Sequence, residues 1–402
     1  MRSFRERYGA LNKDVERREE RRSSGFPIEA LEPGFLLRND LGSIFVAESR
    51  RSEPHVASLL SRSALRSPLY LGNLRHANVS PEELLFLDTE TTGLAGGTGT
   101  HAFLIGVGFF QDGALVLRQY FMRSPAEEPA LLEELRELID RFRLLVTFNG
   151  KSFDWPLIDT RFVLHGYRLQ FSFDHLDLLH PARRIWKHRL ASCSLTSLEQ
   201  GVFDIWREGD VPGYLIPHLY FDYLRDGDAT RLTAVFHHNR EDIVTLARLL
   251  ELLLQAEESP EAQLRHDEDR VGLALSLIAA GEVDRGYETL RATIESGTLP
   301  WTVRKRAESE LWKLMKRRRC TSDGVDMLES MCRESARSDP VDLYPFVELA
   351  KYYEHTARDY AAAEAVIERA LRLLEFRRGN AGKDELLHRL RRVRHKRASN
   401  LR

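Results

Sequence analysis

Four acids carry the chemistry this sequence can do: Asp88, Glu90, Asp154 and Asp242. Asp88 and Glu90 stand two apart, just past the apolar run Leu84-Leu85-Phe86-Leu87. In a strand, residues i and i+2 point to the same face, so both carboxylates project together. Two acids side by side repel unless a cation sits between them. Hard oxygen ligands of this kind suit Mg²⁺ or Mn²⁺. Each acid also has a plainer reading. The pair fits a strand end running into a solvated turn. Asp154 fits the N-cap of a helix opened by Trp155-Pro156. Asp242 fits the polar flank of an amphipathic helix whose apolar face holds Ile243, Leu246, Leu250 and Leu253.

The elements that would position these acids are legible from residue 84 onward. Leu84 to Leu87 reads as a buried strand, and Ala102 to Phe110 as a second. Gln111-Asp112-Gly113 is a hairpin turn, and Ala114 to Phe121 a third strand. Glu127 to Arg143 has helical spacing, with Leu131, Leu132, Leu135, Leu138 and Ile139 on one face. Leu144 to Phe148 is a fourth strand, and Trp155 to His165 a helix closed by Gly166. Three meandering strands, a helix, a strand and a helix indicate a mixed α/β sheet.

The flanks differ in kind. Residues 1–25 are mixed-charge and polar, read as helical or disordered, and residues 26–80 hold turn signals around short strand-like pieces such as Ser43-Ile44-Phe45-Val46. No chemistry is assigned to 1–80. After residue 255 no strand signal is left. Leu273 to Ile294, broken by Gly281, reads as a helix pair, and Phe346 to Tyr353 with Asp359 to Leu371 as a better one. Small alanines at its crossing and aromatics at its packing positions resemble a tetratricopeptide repeat, a fold that stacks into partner-binding solenoids. The domains expected are thus an extension over 1–80, an α/β domain over 81–255 and a helical domain over 256–402.

Composition narrows the class. The chain has 402 residues, 43% hydrophobic and 30% charged, with a formal net charge of −2. That is a globular profile, and no apolar run is long enough for a membrane span. The charged start Met1-Arg2-Ser3-Phe4-Arg5 is not read as a secretory signal. Cys193, Cys320 and Cys332 form no CxxC pair and read as reduced thiols of a cytoplasmic protein. Between 372 and 402 eleven Lys/Arg face three acids. This basic tail reads as a solvated helix end or as a nucleic-acid contact.

In order and placement the four acids match a family. The chain resembles the DEDD (ribonuclease H-like) exonucleases, and within them the YprB-type group. The likeness lies in Phe86-Leu87-Asp88-Thr89-Glu90-Thr91-Thr92-Gly93-Leu94, in Val146 to Pro156, and in His237 to Asp242. Trp186 to Leu190, Leu195 to Glu199, Asp210-Val211-Pro212-Gly213 and Ile216-Pro217 also look like that group. The resemblance implies a ribonuclease H-like mixed sheet with flanking helices, followed by an all-α tetratricopeptide-like domain. It implies that Asp88, Glu90, Asp154 and Asp242 bind two divalent cations, Mg²⁺ or Mn²⁺. It further implies removal of nucleotides from the 3′ end of single-stranded DNA or RNA.

A histidine completes such a site, and two candidates stand here. His237 is five positions before Asp242, His238 four. Residues i and i+4 share a helix face, so one continuous helix puts His238 beside Asp242. A helix starting at Asn239 would let His237 swing in from a loop instead. By family likeness Thr91 and Leu94 sit beside the terminal nucleotide. Asn149, Lys151, Arg184 and Lys187 are candidates for contact with the nucleic acid. Gly150-Lys151-Ser152 imitates a phosphate-binding loop, but Leu145 stands where that motif needs glycine. Two function classes remain: the metal-dependent exonuclease, and a non-catalytic nucleic-acid-binding adaptor whose helical repeats recruit a protein partner.

Overall fold

The computed structural model describes residues 25–52, 79–93, 99–167, 172–378 and 380–400. The charged start, Leu94 and most of the glycine loop after it lie outside the described residues. The chain divides into two compact units, at Arg265 and His266. That is a little past the expected break at 255, because the last helix of the first unit runs on to Glu258 and a short turn, Pro260–Gln263, follows.

The first unit is built on a seven-stranded mixed sheet. Its strands are β1 (Gly34–Asn39), β2 (Gly42–Arg51), β3 (Leu84–Thr91), β4 (Ala102–Gln111), β5 (Ala114–Phe121), β6 (Leu144–Thr147) and β7 (Asp174–Asp177). The order across the sheet is β1-β2-β5-β4-β3-β6-β7. β1 through β3 pair antiparallel, whereas β6 and β7 run parallel to β3. The segment set apart as an extension therefore supplies two strands of the same sheet, with Phe45 of β2 opposite Phe121 of β5. The β4–β5 hairpin closes at Asp112 (φ 52°) and Gly113 (φ 76°), two left-handed residues that match the twist of the strands they join.

Helices α1 (Glu128–Ile139), α2 (Asp154–Leu164), α3 (Leu179–Trp186), α4 (Ile216–Asp226) and α5 (Leu232–Glu258) flank the sheet. β4 is buried along nearly its whole length, as its continuous apolar run requires. On α4, Tyr220 stacks on Phe103 with ring centroids 4.0 Å apart, and its hydroxyl donates to the Met122 carbonyl at 2.9 Å. That bond satisfies the one polar atom this large ring takes into the core. α5 lies across β3, β4 and β5 and carries the third acidic motif to the sheet.

Among its described residues the second unit is all helical: α6 (Asp267–Ala279), α7 (Val283–Glu295), α8 (Trp301–Arg318), α9 (Val325–Ser335), α10 (Tyr344–His355), α11 (Tyr360–Phe376) and α12 (Lys383–Asn400). The two helix pairs expected from sequence are α6–α7 and α10–α11. Asp359 caps α11 by accepting from the Ala362 amide at 2.9 Å. Ala350 and Ala363 are fully buried between this pair and its neighbours. Part of the basic tail is taken up by acids of earlier helices, although most of its described Lys and Arg stay exposed. Arg389, Arg392 and Lys396 of α12 converge on the buried Glu354, while Arg394 and Arg397 reach Glu364.

Candidate active site

β3 presents Asp88 and Glu90 near its C-terminal end, and its pairing with β4 slips by one residue between Glu90 and Thr91. That bulge ends the regular ladder at the site. Asp154 is the first residue of α2. It arrives through the loop after β6, where Asn149 takes a left-handed conformation (φ 65°). Asp242 comes from the middle of α5. Three elements thus bring the four carboxylates together.

Close approach of α5 to the sheet depends on glycine. A Cβ on Gly106 of β4 would lie 2.1 Å from the Asn239 Oδ1. With that space open, the fully buried Asn239 donates to Asp88 Oδ2 at 2.9 Å and accepts from Gln119 Nε2 at 2.9 Å. Asp154 is steadied in turn by the Thr89 hydroxyl, which donates to its Oδ1 at 2.5 Å.

The cluster is electrostatically uncomfortable. Burial holds the Asp88 and Glu90 carboxyls above the usual carboxylate range, and repulsion from Asp242 and Asp154 raises both further. Burial lifts Asp154 to about 6 against the Thr89 hydrogen bond. Burial raises Asp242 too, with His238 and Arg207 pulling the other way. Acids crowded out of water in this way form an all-oxygen donor set, the chemistry a hard divalent cation takes. Among the described residues no three His, Cys, Asp or Glu side chains close on one point at ligating distance. Here the neutralising cation is Arg207, whose Nη2 lies 2.5 Å from Asp242 Oδ1 and 2.5 Å from Glu199 Oε1.

The histidine alternatives separate. α5 is continuous from Leu232 to Glu258, so Asn239 lies within it and caps nothing. His238 Nε2 stands 3.5 Å from Asp242 Oδ2 and 4.0 Å from Glu90 Oε1. His237 is turned about 100° further round the helix.

The remaining candidates scatter more widely. Thr91 is buried at the end of β3, its hydroxyl donating to the Gly93 carbonyl at 2.8 Å. Asn149 and Lys151 are exposed on the loop before Asp154. Arg184 and Lys187 are exposed on α3 and at its C-terminal end. Sequence reasoning passed over Asp177, Glu199, Arg207 and Asp210 as site residues. Asp177, at the end of β7, accepts from the Asn149, Lys151 and Leu179 amides at 2.8, 3.2 and 3.1 Å and so pins the loop that delivers Asp154. Its signal was the short strand Asp174-His175-Leu176-Asp177, whose polar residues hid the strand pattern.

A ribonuclease H superfamily model matches residues 85–254, the span holding all four acids. The chain is also 32% identical over 326 residues to a Bacillus subtilis (strain 168) relative named "Uncharacterized protein YprB", covering 79% of this chain and 78% of the relative. The chain belongs to the YprB-type ribonuclease H-like family. Membership makes the sheet unit a nuclease-class domain of the ribonuclease H superfamily, a hydrolase of nucleic acid. No helix among the described residues is long and apolar enough to cross a membrane.

Proposed function

We propose that this YprB-type chain is a divalent-metal-dependent 3′→5′ exonuclease of the DEDD kind, hydrolysing phosphodiester bonds of single-stranded DNA or RNA. One observation carries the reading: carboxylates from β3, α2 and α5 stand close enough to repel one another, and two of them, Asp242 and Glu90, lie 3.5 and 4.0 Å from the Nε2 of His238. Such a cluster destabilises a fold unless cations use it.

Asp88, Glu90, Asp154 and Asp242 would hold two ions, Mg²⁺ or Mn²⁺. When bound, such ions lower the pKa of a water and stabilise the leaving oxygen of a phosphodiester. The chain's own residues do the rest. His238 Nε2 accepts the proton of the attacking water as its oxygen bonds to phosphorus. The P–O3′ bond breaks, and the departing oxygen takes a proton from solvent. Asn239 and Thr89 orient Asp88 and Asp154. Asn149 and Lys151, exposed on the loop that delivers Asp154, would contact the scissile phosphate, and by family likeness Thr91 and Leu94 would flank the terminal nucleotide. Arg184 and Lys187 would meet phosphates further along the strand. The helical unit is read as a tetratricopeptide-like surface for a protein partner, and the protein as cytoplasmic.

Digestion of 5′-labelled single-stranded DNA and RNA with Mn²⁺, beside Asp88→Ala, tests this. A ladder with the unmutated chain alone supports the enzyme. Binding without a ladder under several metals sinks it in favour of the adaptor. Intact circular substrate separates exonuclease from endonuclease.

A further inference from the structure

His238 has a second partner on the side away from the acids. Its Nδ1 lies 2.7 Å from Asp210 Oδ1, while Nε2 faces Asp242 and Glu90 at 3.5 and 4.0 Å. We propose that Asp210 is the positioning residue of this site: it accepts the Nδ1–H of His238 and so fixes the tautomer in which Nε2 is free to take a proton. The proposal rests on the exonuclease reading, since it gives His238 its task.

The chemistry follows from the distances. At 2.7 Å the carboxylate needs a hydrogen on Nδ1, and a neutral imidazole carries only one. Nε2 is then an acceptor. A gap of 3.5 to 4.0 Å to two carboxylates is too long for direct hydrogen bonds and leaves Nε2 without a hydrogen-bonded carboxylate. When Nε2 takes the proton, the positive ring lies against the Asp210 carboxylate, which steadies it.

Asp210 is itself held. It belongs to the loop leading to α4, and its Oδ1 accepts from the Val211 amide at 3.0 Å. Arg207, nearly buried, reaches Asp210 Oδ2 at 3.6 Å and donates to the His238 carbonyl at 3.3 Å. The same guanidinium bridges Asp242 and Glu199, and Thr245 donates to Glu199 at 2.5 Å. The loop is thereby tied to the same turns of α5 that carry His238 and Asp242. Carboxylate partners that orient histidines at metal sites are worth about ten- to a hundredfold in activity when removed, and the same scale is expected of Asp210.

The experiment uses the full chain with ¹⁵N-histidine, in EDTA, above the range in which imidazole titrates. Long-range ¹H–¹⁵N correlation reads the tautomer, and His238→Gln assigns the resonance. The expected spectrum is Nδ1–H in the unmutated chain and its loss in Asp210→Ala. With Mn²⁺ and single-stranded DNA, Asp210→Ala should lower kcat about ten- to a hundredfold, leave KM and Tm near those of the parent, and add nothing in a His238→Gln background. Asp210→Asn keeps the shape without the charge and should fall between. An Nε2–H tautomer in the unmutated chain overturns the proposal, as does Asp210→Ala that keeps the tautomer or loses only Tm. If the parent digests nothing, the exonuclease reading fails, and the spectrum still decides the tautomer.

Discussion

Gly106 and Asn239 occupy one point of the fold: a Cβ on the glycine would lie 2.1 Å from the amide oxygen of the asparagine. The bare backbone of β4 admits a polar side chain of α5 to the interior, and that side chain holds Asp88. Gly106→Ala should therefore cost about 1–3 kcal/mol by overpacking and lower nuclease rate by moving Asn239 off Asp88. Urea denaturation beside a rate assay reads both. Unchanged stability would show that Asn239 rotates away freely and is no part of the support.

Asp177 gathers three backbone amides around one buried carboxylate. Removing it leaves those donors unsatisfied, at about 1–3 kcal/mol for each that stays dry. Asp177→Ala should speed amide exchange across residues 148–153 and reduce activity through a displaced Asp154. Asp177→Asn, which still offers an oxygen, should do less of both. Hydrogen exchange read by mass spectrometry tests this, and unaltered protection of the loop would rule the role out.

The sequence made the site legible where chemistry follows spacing along one element. Asp88 and Glu90 share a strand face, so period alone places that pair, whereas His238 joins Asp242 only because α5 runs unbroken from Leu232 to Glu258. The strands β3, β4 and β5 were legible because each carries an apolar run that the sheet buries: Leu84–Leu87 opening β3, nearly all of β4, and Ala114–Leu117 opening β5. β7 was not, since Asp174, His175 and Asp177 break its pattern. The Arg207–Asp210 support was not legible either. It comes from an irregular loop packed against α5 at a separation of about thirty residues, and no periodicity reports such a contact. The ion pairs of the basic tail were not legible: its charge is plain in sequence, but the acids it meets, Glu354 and Glu364, lie on earlier helices.

Glu354 lies fully buried among Arg389, Arg392 and Lys396. Burial alone would raise its carboxyl, but the hydrogen bonds from Arg392 and Lys396 outweigh it and bring the group down to about 2. Because the folded value lies below the unfolded one of about 4.3, the stabilisation is complete above that unfolded value. It is lost as pH falls through the folded one. We expect α12 to loosen between roughly pH 4.5 and pH 2. At pH 7, Glu354→Gln should cost about 3 kcal/mol, because three cations are left without their anion. Protection of residues 383–400 in hydrogen exchange is the measurement. An α12 as protected in the variant as in the parent would falsify the pin.

Asp154 makes the repulsion in the site measurable without any substrate. At pH 7.5 in EDTA, four carboxylates share a poorly hydrated space with Arg207 and His238 as their nearby cationic or imidazole groups. Asp154→Asn removes one charge, keeps the shape and still accepts from Thr89. The variant should therefore melt above the parent in EDTA. Saturating Mn²⁺ should reverse the order. A ligand at a hundred times its Kd adds about 2.7 kcal/mol, roughly 5–10 °C for a domain of this size, and the variant, lacking one of the four oxygen donors, should gain much less. Scanning fluorimetry with and without Mn²⁺ decides it. If EDTA and Mn²⁺ leave the parent's Tm the same, the acids do not hold a cation. The repulsion raised by Asp242 and Asp154 would then need a different compensation within the fold.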